Sequence, residues 1–249
     1  MKHKLLITVL TLAILAGSAG AVYWIYDTWK LDSDAILAEL DATPVPESTP
    51  TPMPEPTPEP TPEHDWPDVD ITSWEFLLAN PDHNIGEYVP PLATLENQQF
   101  DERIIEPMTD FVEAARAEGL RVYLSSGYRD YATQNYLYQR KVGQYGAEVA
   151  KTSVAPPGTS EHQTGLACDI TDQYYEFKDA SLENTALYQW MSEHCQEYGF
   201  IVRFPKGKED ITGIIYEPWH FRYVGVDAAT YIMENDLCLE EFLQLYYAG

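Results

Sequence analysis

Hydrophobic and polar positions divide the chain into three stretches of different period. From Leu5 to about Tyr26 the residues are almost all apolar, small or weakly polar. Lys2, His3 and Lys4 precede this run, and Asp27, Thr28, Trp29 and Lys30 come after it. About 20 apolar residues suffice for a helix that crosses a bilayer. Lys2 and Lys4 favour a cytoplasmic N-terminus, and Tyr23, Trp24, Tyr26 and Trp29 suit the far interface. The small residues 16–21 (AGSAGA) also offer a signal-peptide cleavage site. As signal anchor or as cleaved signal, residues 1–30 export the rest of the chain. Residues 43–63 (TPVPESTPTPMPEPTPEPTPE) have no apolar period and hold nine of the 18 prolines. Such spacing favours an extended polyproline II stalk, which 21 residues would stretch to about 65 Å. The expected organisation is a membrane segment over 1–30, a disordered Pro/Thr/Glu-rich linker over 31–65, and one globular domain over 66–249.

Within that domain the helix and strand periods alternate irregularly. Met108, Phe111, Val112 and Ala115 form one stripe over 107–118, and Gly119 is a natural stop. Residues 121–125 alternate as a strand. A second helix is expected over 130–150, with Gly143 and Gly146 weakening its end. Residues 167–171 read as a strand. Residues 181–198 read as a helix with Ser181 as its N-cap. Further strands are expected over 200–204, 213–216 and 220–224, and helix from Asp227 onward. This order predicts an α+β fold, a small antiparallel sheet with flanking helices, rather than a doubly wound one.

Composition sharpens the picture. Forty acids against 15 bases give a formal net charge of −25, which argues against a nucleic-acid binder. With 45% apolar residues the chain can still bury a core. The charge splits into −7 before residue 66 and −18 in the domain. Three cysteines make no disulfide scaffold, and a Cys195–Cys238 bridge is left open. No protein partner is implied.

The chemistry concentrates in three segments. His162 has Asp169 seven positions later, and His220 has Glu217 three positions earlier. Two imidazoles and a carboxylate are a sufficient ligand set for a hydrolytic zinc, with a further carboxylate as proton acceptor. Spacing alone does not separate this from two loop histidines in ordinary hydrogen bonds. On a strand at 166–170, Leu166, Cys168 and Ile170 share one face and Asp169 takes the other, so Cys168 belongs to the core. Pro218 keeps Glu217 and His220 off a helix, and a bend at Pro218–Trp219 is needed to bring both inward. Trp219 reads equally as a wall of the site or as a core aromatic, and Arg203 as a partner of a substrate carboxylate or as a surface residue.

Three motifs carry a resemblance: SGYRD (126–130) with Gln134 downstream, PGTSEHQTGLACDI (157–170), and YGFIVRFPKGKEDITGIIYEPWHFRYVG (198–225). Together, and with the closing LCLEEFL, they resemble the VanY-type D-alanyl-D-alanine carboxypeptidases from about Arg121 to about Leu243. The resemblance implies a hedgehog/DD-peptidase-like fold and zinc held by His162, Asp169 and His220. It implies Glu217 as catalytic base, Arg129 on the scissile carbonyl, and Ser160 and Gln134 near the substrate. Cys168 departs from the aliphatic residue more usual there. The implied activity is zinc-dependent removal of the terminal D-alanine from peptidoglycan stem peptides. The catalytic domain would be extracytoplasmic, on a single-pass anchor in the cell membrane. Within the same fold, an L,D-carboxypeptidase, a D-Ala-D-Ala dipeptidase and a non-catalytic wall-binding module are the alternatives.

Overall fold

A computed structural model describes residues 64–151 and 153–247. The expected membrane segment and the proline stalk up to residue 63 lie outside the described residues. Among the described residues no helix is long and apolar enough to cross a membrane.

Two antiparallel sheets and seven α-helices make up the described part of the domain. Strands β1 (Leu92–Leu95) and β2 (Gln98–Asp101) form a hairpin. Helix α1 (Ile105–Ala117) leads to β3 (Tyr123–Ser126), then α2 (Tyr131–Tyr145) and the one-turn α3 (Ala147–Ala150). Strand β4 (Ala167–Thr171), α4 (Ala186–His194), β5 (Phe200–Val202) and the short α5 (Glu209–Thr212) come next. The chain ends with β6 (His220–Tyr223), α6 (Val226–Glu234) and α7 (Leu239–Tyr247). The larger sheet has the order β3-β4-β6-β5, all antiparallel, so the architecture is α+β.

The two faces of this sheet differ. On one, Leu166, Cys168 and Ile170 join Phe200, Val202 and Phe221 against the α1 stripe and against Leu187 and Met191 of α4. Phe111 is central there. Its ring lies 5.3 Å from that of Phe200 and 5.6 Å from that of Phe221, and it also meets Trp190 and Tyr198. Strand alternation then sends Asp169, His220 and Arg222 to the opposite face. A second apolar cluster, around Phe242 and Ile201, joins α6 and α7 to the incoming segment through Phe76. That segment is also tied to the last helix by the Trp66–Tyr246 ring contact and by the Tyr246 hydroxyl, which donates to the Pro67 carbonyl.

Three expectations need correction. Residues 213–216 are not a strand. They follow α5 through Gly213, at φ +73°, and the Ile214 amide bonds the Thr212 hydroxyl instead of a ladder. The 181–198 helix is three pieces, because Asp179 caps a 3-10 turn (Ala180–Asn184) and Thr185, not Ser181, caps α4. The expected helix over 130–150 breaks at Gly146, where φ is +82°. All three cysteines are buried free thiols.

Truncating Phe111 removes the ring on which both α1 and the sheet pack. Phe111→Ala should lower the unfolding free energy by about 3–5 kcal/mol. A shift of the urea midpoint at unchanged slope would report it.

Candidate metal centre

Asp169 and His220 are cross-strand partners on β4 and β6. His162 comes from the 3-10 turn Glu161–Thr164, which runs into β4 through Gly165. Gly165 adopts φ +73°, and a Cβ there would lie 2.7 Å from the Asp101 amide nitrogen. Only glycine allows this reversal against the hairpin. The bend required at Pro218–Trp219 is present as a turn, closed by the His220 amide donating to the Glu217 carbonyl at 3.1 Å.

One ligand atom each of His162, Asp169 and His220 lies within 4.8 Å of the other two. Asp169 Oδ1 is 3.4 Å from His162 Nε2 and 3.1 Å from His220 Nδ1. Metal bonds of about 2.0–2.1 Å in tetrahedral geometry place ligand atoms about 3.3 Å apart. Outer partners fix both rings. His162 Nδ1 donates to the Gly127 carbonyl at 2.9 Å, which turns the Nε2 lone pair to the cluster. His220 Nε2 lies 3.4 Å from Glu161 Oε2, and both atoms are buried without a hydrogen-bond partner. A proton on Nε2 facing Glu161 leaves Nδ1 free for a cation. Two imidazoles and a carboxylate, with no thiol, match what zinc takes. Cys168 stays out: it packs in the core, and burial pushes its pKa well above the usual thiol range.

The other expected site residues, Arg129, Gln134, Ser160, Glu217 and Trp219, line one cleft of about 510 Å³ with these three. Asp130 caps α2 by accepting from the Thr133 amide, and so does not engage Arg129. Instead the Arg129 guanidinium donates to Gln134 Oε1 at 2.7 Å and Ser126 Oγ at 3.1 Å, and Gln134 donates to the Ala155 carbonyl. Trp219 is buried and lines the cleft.

Sequence reasoning misplaces Arg203 and passes over Glu161 and Lys178. Arg203 is neither a surface residue nor a carboxylate receptor for substrate. It is fully buried, donating to Glu161 Oε1 at 2.6 Å and to both oxygens of Glu240. Arg222 donates to the same Glu161 oxygen at 2.9 Å and to the carbonyls of Glu75 and Leu77. Lys178 donates to Asp169 Oδ2, and its ammonium lies 5.8 Å from the Trp219 ring centre. No local pattern marks these roles. The only signal for Glu161 is its place beside His162.

The electrostatics separate the carboxylates. Burial raises the Glu217 carboxyl, only partly opposed by His220, to about 7. Its Oε2 lies 3.7 Å from His220 Nδ1. Burial also opposes ionisation of Asp169, but its contacts with the His220 ring and Lys178 outweigh it and hold that carboxyl well below its usual value. Burial and Arg129 lower His162 to about 4, so its ring is neutral and able to ligate. For His220 burial is overcome by Asp169 and Glu161, which raise it to about 9, so a metal at Nδ1 would displace a proton from this ring. A charged cluster therefore stands beside a carboxyl that exchanges its proton near neutrality, the combination that general acid–base hydrolysis needs.

Comparison with known proteins gives a consistent result. A family model described as VanY, D-alanyl-D-alanine carboxypeptidase, matches residues 97–226, more than half of the chain. A D-alanyl-D-alanine carboxypeptidase of Enterococcus faecalis is 40% identical over 187 residues, covering 70% of this chain and 67% of the relative. Among solved structures, a mutant of the vancomycin-resistance D,D-pentapeptidase VanY from a VanB-type cassette, in complex with Zn(II), is 39% identical. Its TM-score is 0.61, over 69% of this chain and 99% of that one. The LD-carboxypeptidase LdcB is 36% identical with a TM-score of 0.59, over 68% and 86% of the two chains.

Glu161 compensates two buried guanidinium groups, so its removal leaves both without their shared anion. Glu161→Leu should cost about 3–5 kcal/mol of stability. An unchanged urea midpoint would contradict this account of the network.

Proposed function

The chain belongs to the VanY family of D-alanyl-D-alanine carboxypeptidases, and from that premise we propose that it hydrolyses the last peptide bond of peptidoglycan stem peptides to release D-alanine. It is a zinc metallopeptidase. The observation that supports the reading most is the buried His162–Asp169–His220 cluster, which shares one cleft with Glu217 and Arg129.

His162 Nε2, an Asp169 oxygen and His220 Nδ1 would hold the metal. When bound, zinc supplies Lewis acidity that eases deprotonation of water and polarises a carbonyl. Glu217 accepts the proton of the attacking water and delivers it to the amine of the departing D-alanine. Its raised pKa suits both transfers. Arg129, held by Gln134 and Ser126, offers fixed donors to the oxyanion of the tetrahedral state. Ser160 and Trp219 line the cleft where the substrate lies. Asp169 keeps its charge beside the His220 ring and Lys178, so it needs no proton loss before ligation.

The N-terminal apolar run and the proline stalk support an extracytoplasmic enzyme tethered to the cell membrane, whose substrate is part of a polymer or a lipid-linked precursor.

A pentapeptide ending in D-Ala-D-Ala should lose one alanine by mass, whereas a tetrapeptide stays intact. Cleavage of the tetrapeptide alone would overturn D,D specificity in favour of the L,D activity. A chelator should abolish turnover and added zinc restore it. Glu217→Ala should lower kcat by about 10²–10⁴-fold at unchanged zinc content, and full activity in that variant would remove Glu217 from its role.

A further inference from the structure

The domain over residues 66–249 holds 12 lysines and arginines against 30 acids. Among the described residues nine of the 12 are ion-paired with a carboxylate. The remaining three are Arg129, Arg140 and Lys141, and all three line the cleft. Arg129 sits at the metal end and already bonds Gln134 and Ser126, so Arg140 and Lys141 are the cations left over, and both face the same depression.

Helix α2 explains how they meet. Gln134, Leu137, Lys141 and Gln144 recur at helical spacing and face the cleft together, so α2 lies along it as a wall. Residues 131–147 contain no acid, although the domain carries one at 30 of its 184 positions. Arg140 and Lys141 rest on aromatic rings of their own helix. The Arg140 guanidinium carbon is 6.0 Å from the Tyr136 ring centre, and Lys141 Nζ is 4.7 Å from that of Tyr145. Such contacts steady a cationic head without using up its hydrogen-bond donors. The carboxylates lining the cleft are Glu161, Asp169 and Glu217 at the metal end, and Glu176 on the segment that bears Lys178.

The geometry points to an anion subsite on α2, in which Arg140 and Lys141 take a carboxylate on the acyl side of the scissile bond. This rests on the carboxypeptidase reading. Gln134, which touches Arg129, and Lys141 are seven residues apart, about 10 Å along a helix axis. An extended peptide covers that distance in about three residues. A carboxypeptidase releases one residue, so a group three residues from the bond belongs to the part it retains. The subsite therefore selects peptides bearing a free carboxylate three residues before the cleavage point. It also gives an acidic domain a local attraction for an acidic substrate.

Two pentapeptides ending in D-Ala-D-Ala test this, identical except that residue two bears a free carboxylate in one and its carboxamide in the other. The wild-type enzyme at low salt should prefer the acid by about 5- to 10-fold in kcat/KM, through KM, the scale of two exposed ion pairs. The Arg140→Ala, Lys141→Ala double variant should lose that preference while cleaving the amide as before. The Arg140→Lys, Lys141→Arg variant should retain it. An acid preference that survives in the alanine variant, or an equal loss on both peptides, overturns the subsite. Calorimetry on the zinc-loaded Glu217→Ala protein, with and without the two alanine substitutions, measures the same acid-over-amide difference as affinity. Cleavage of neither peptide by the wild type would defeat the carboxypeptidase reading, and the calorimetric comparison would still decide the subsite.

Discussion

A carboxylate without water around it keeps its charge only where cations surround it, and Glu161 is the point on which this domain satisfies that condition. Its oxygens meet Arg203, Arg222 and the His220 ring, groups contributed by the end of β5 and by β6. Arg203 extends the chain of charge to Glu240 on α7, and Asn80 donates to that same carboxylate. Arg222 reaches the carbonyls of Glu75 and Leu77. Ion pairs of this kind cost as much desolvation as they return in attraction, so their effect is on specificity more than on net stability. Here the specificity is positional. The network fixes the orientation of one imidazole by fixing everything behind it.

The sheet separates two kinds of packing. Its apolar face comes from residue size and strand alternation, with Cys168 between Leu166 and Ile170. Its polar face holds Asp169, His220 and Arg222, where alternation leaves no choice of side once the apolar face is set. The chemistry is thus a by-product of register. A slip of one residue in β4 would bury Asp169 among phenylalanines and turn Cys168 to the cleft.

Much of this is legible in sequence, and the failures have a common origin. The α1 stripe and the β4 alternation are local periodicities and correspond to what forms. The bend at Pro218 that the metal reading required is present as well. The roles of Glu161 and Arg203 are not legible, since their contact spans 42 residues and no local pattern encodes it. The stretch 213–216 reads as a strand because it is apolar. It fails as one because Gly213 turns the chain and the Tyr216 hydroxyl is drawn to that of Tyr188 instead. Arg140 and Lys141 carry no signal in sequence because exposed cations on a helix are ordinary. Their meaning arises only because the domain's other cations outside the catalytic machinery are paired.

The clamp between the incoming segment and the last helix has a mechanical consequence. Trp66 against Tyr246, the Tyr246 hydroxyl on the Pro67 carbonyl, and Arg222 on the carbonyls of Glu75 and Leu77 lie in series along the first residues of the domain. A pull applied at His64 would load these contacts in turn. It would reach Arg222 on β6 only after the aromatic clamp had yielded. Tension on the leading end is therefore met first by the aromatic clamp, before it reaches the strand that carries His220.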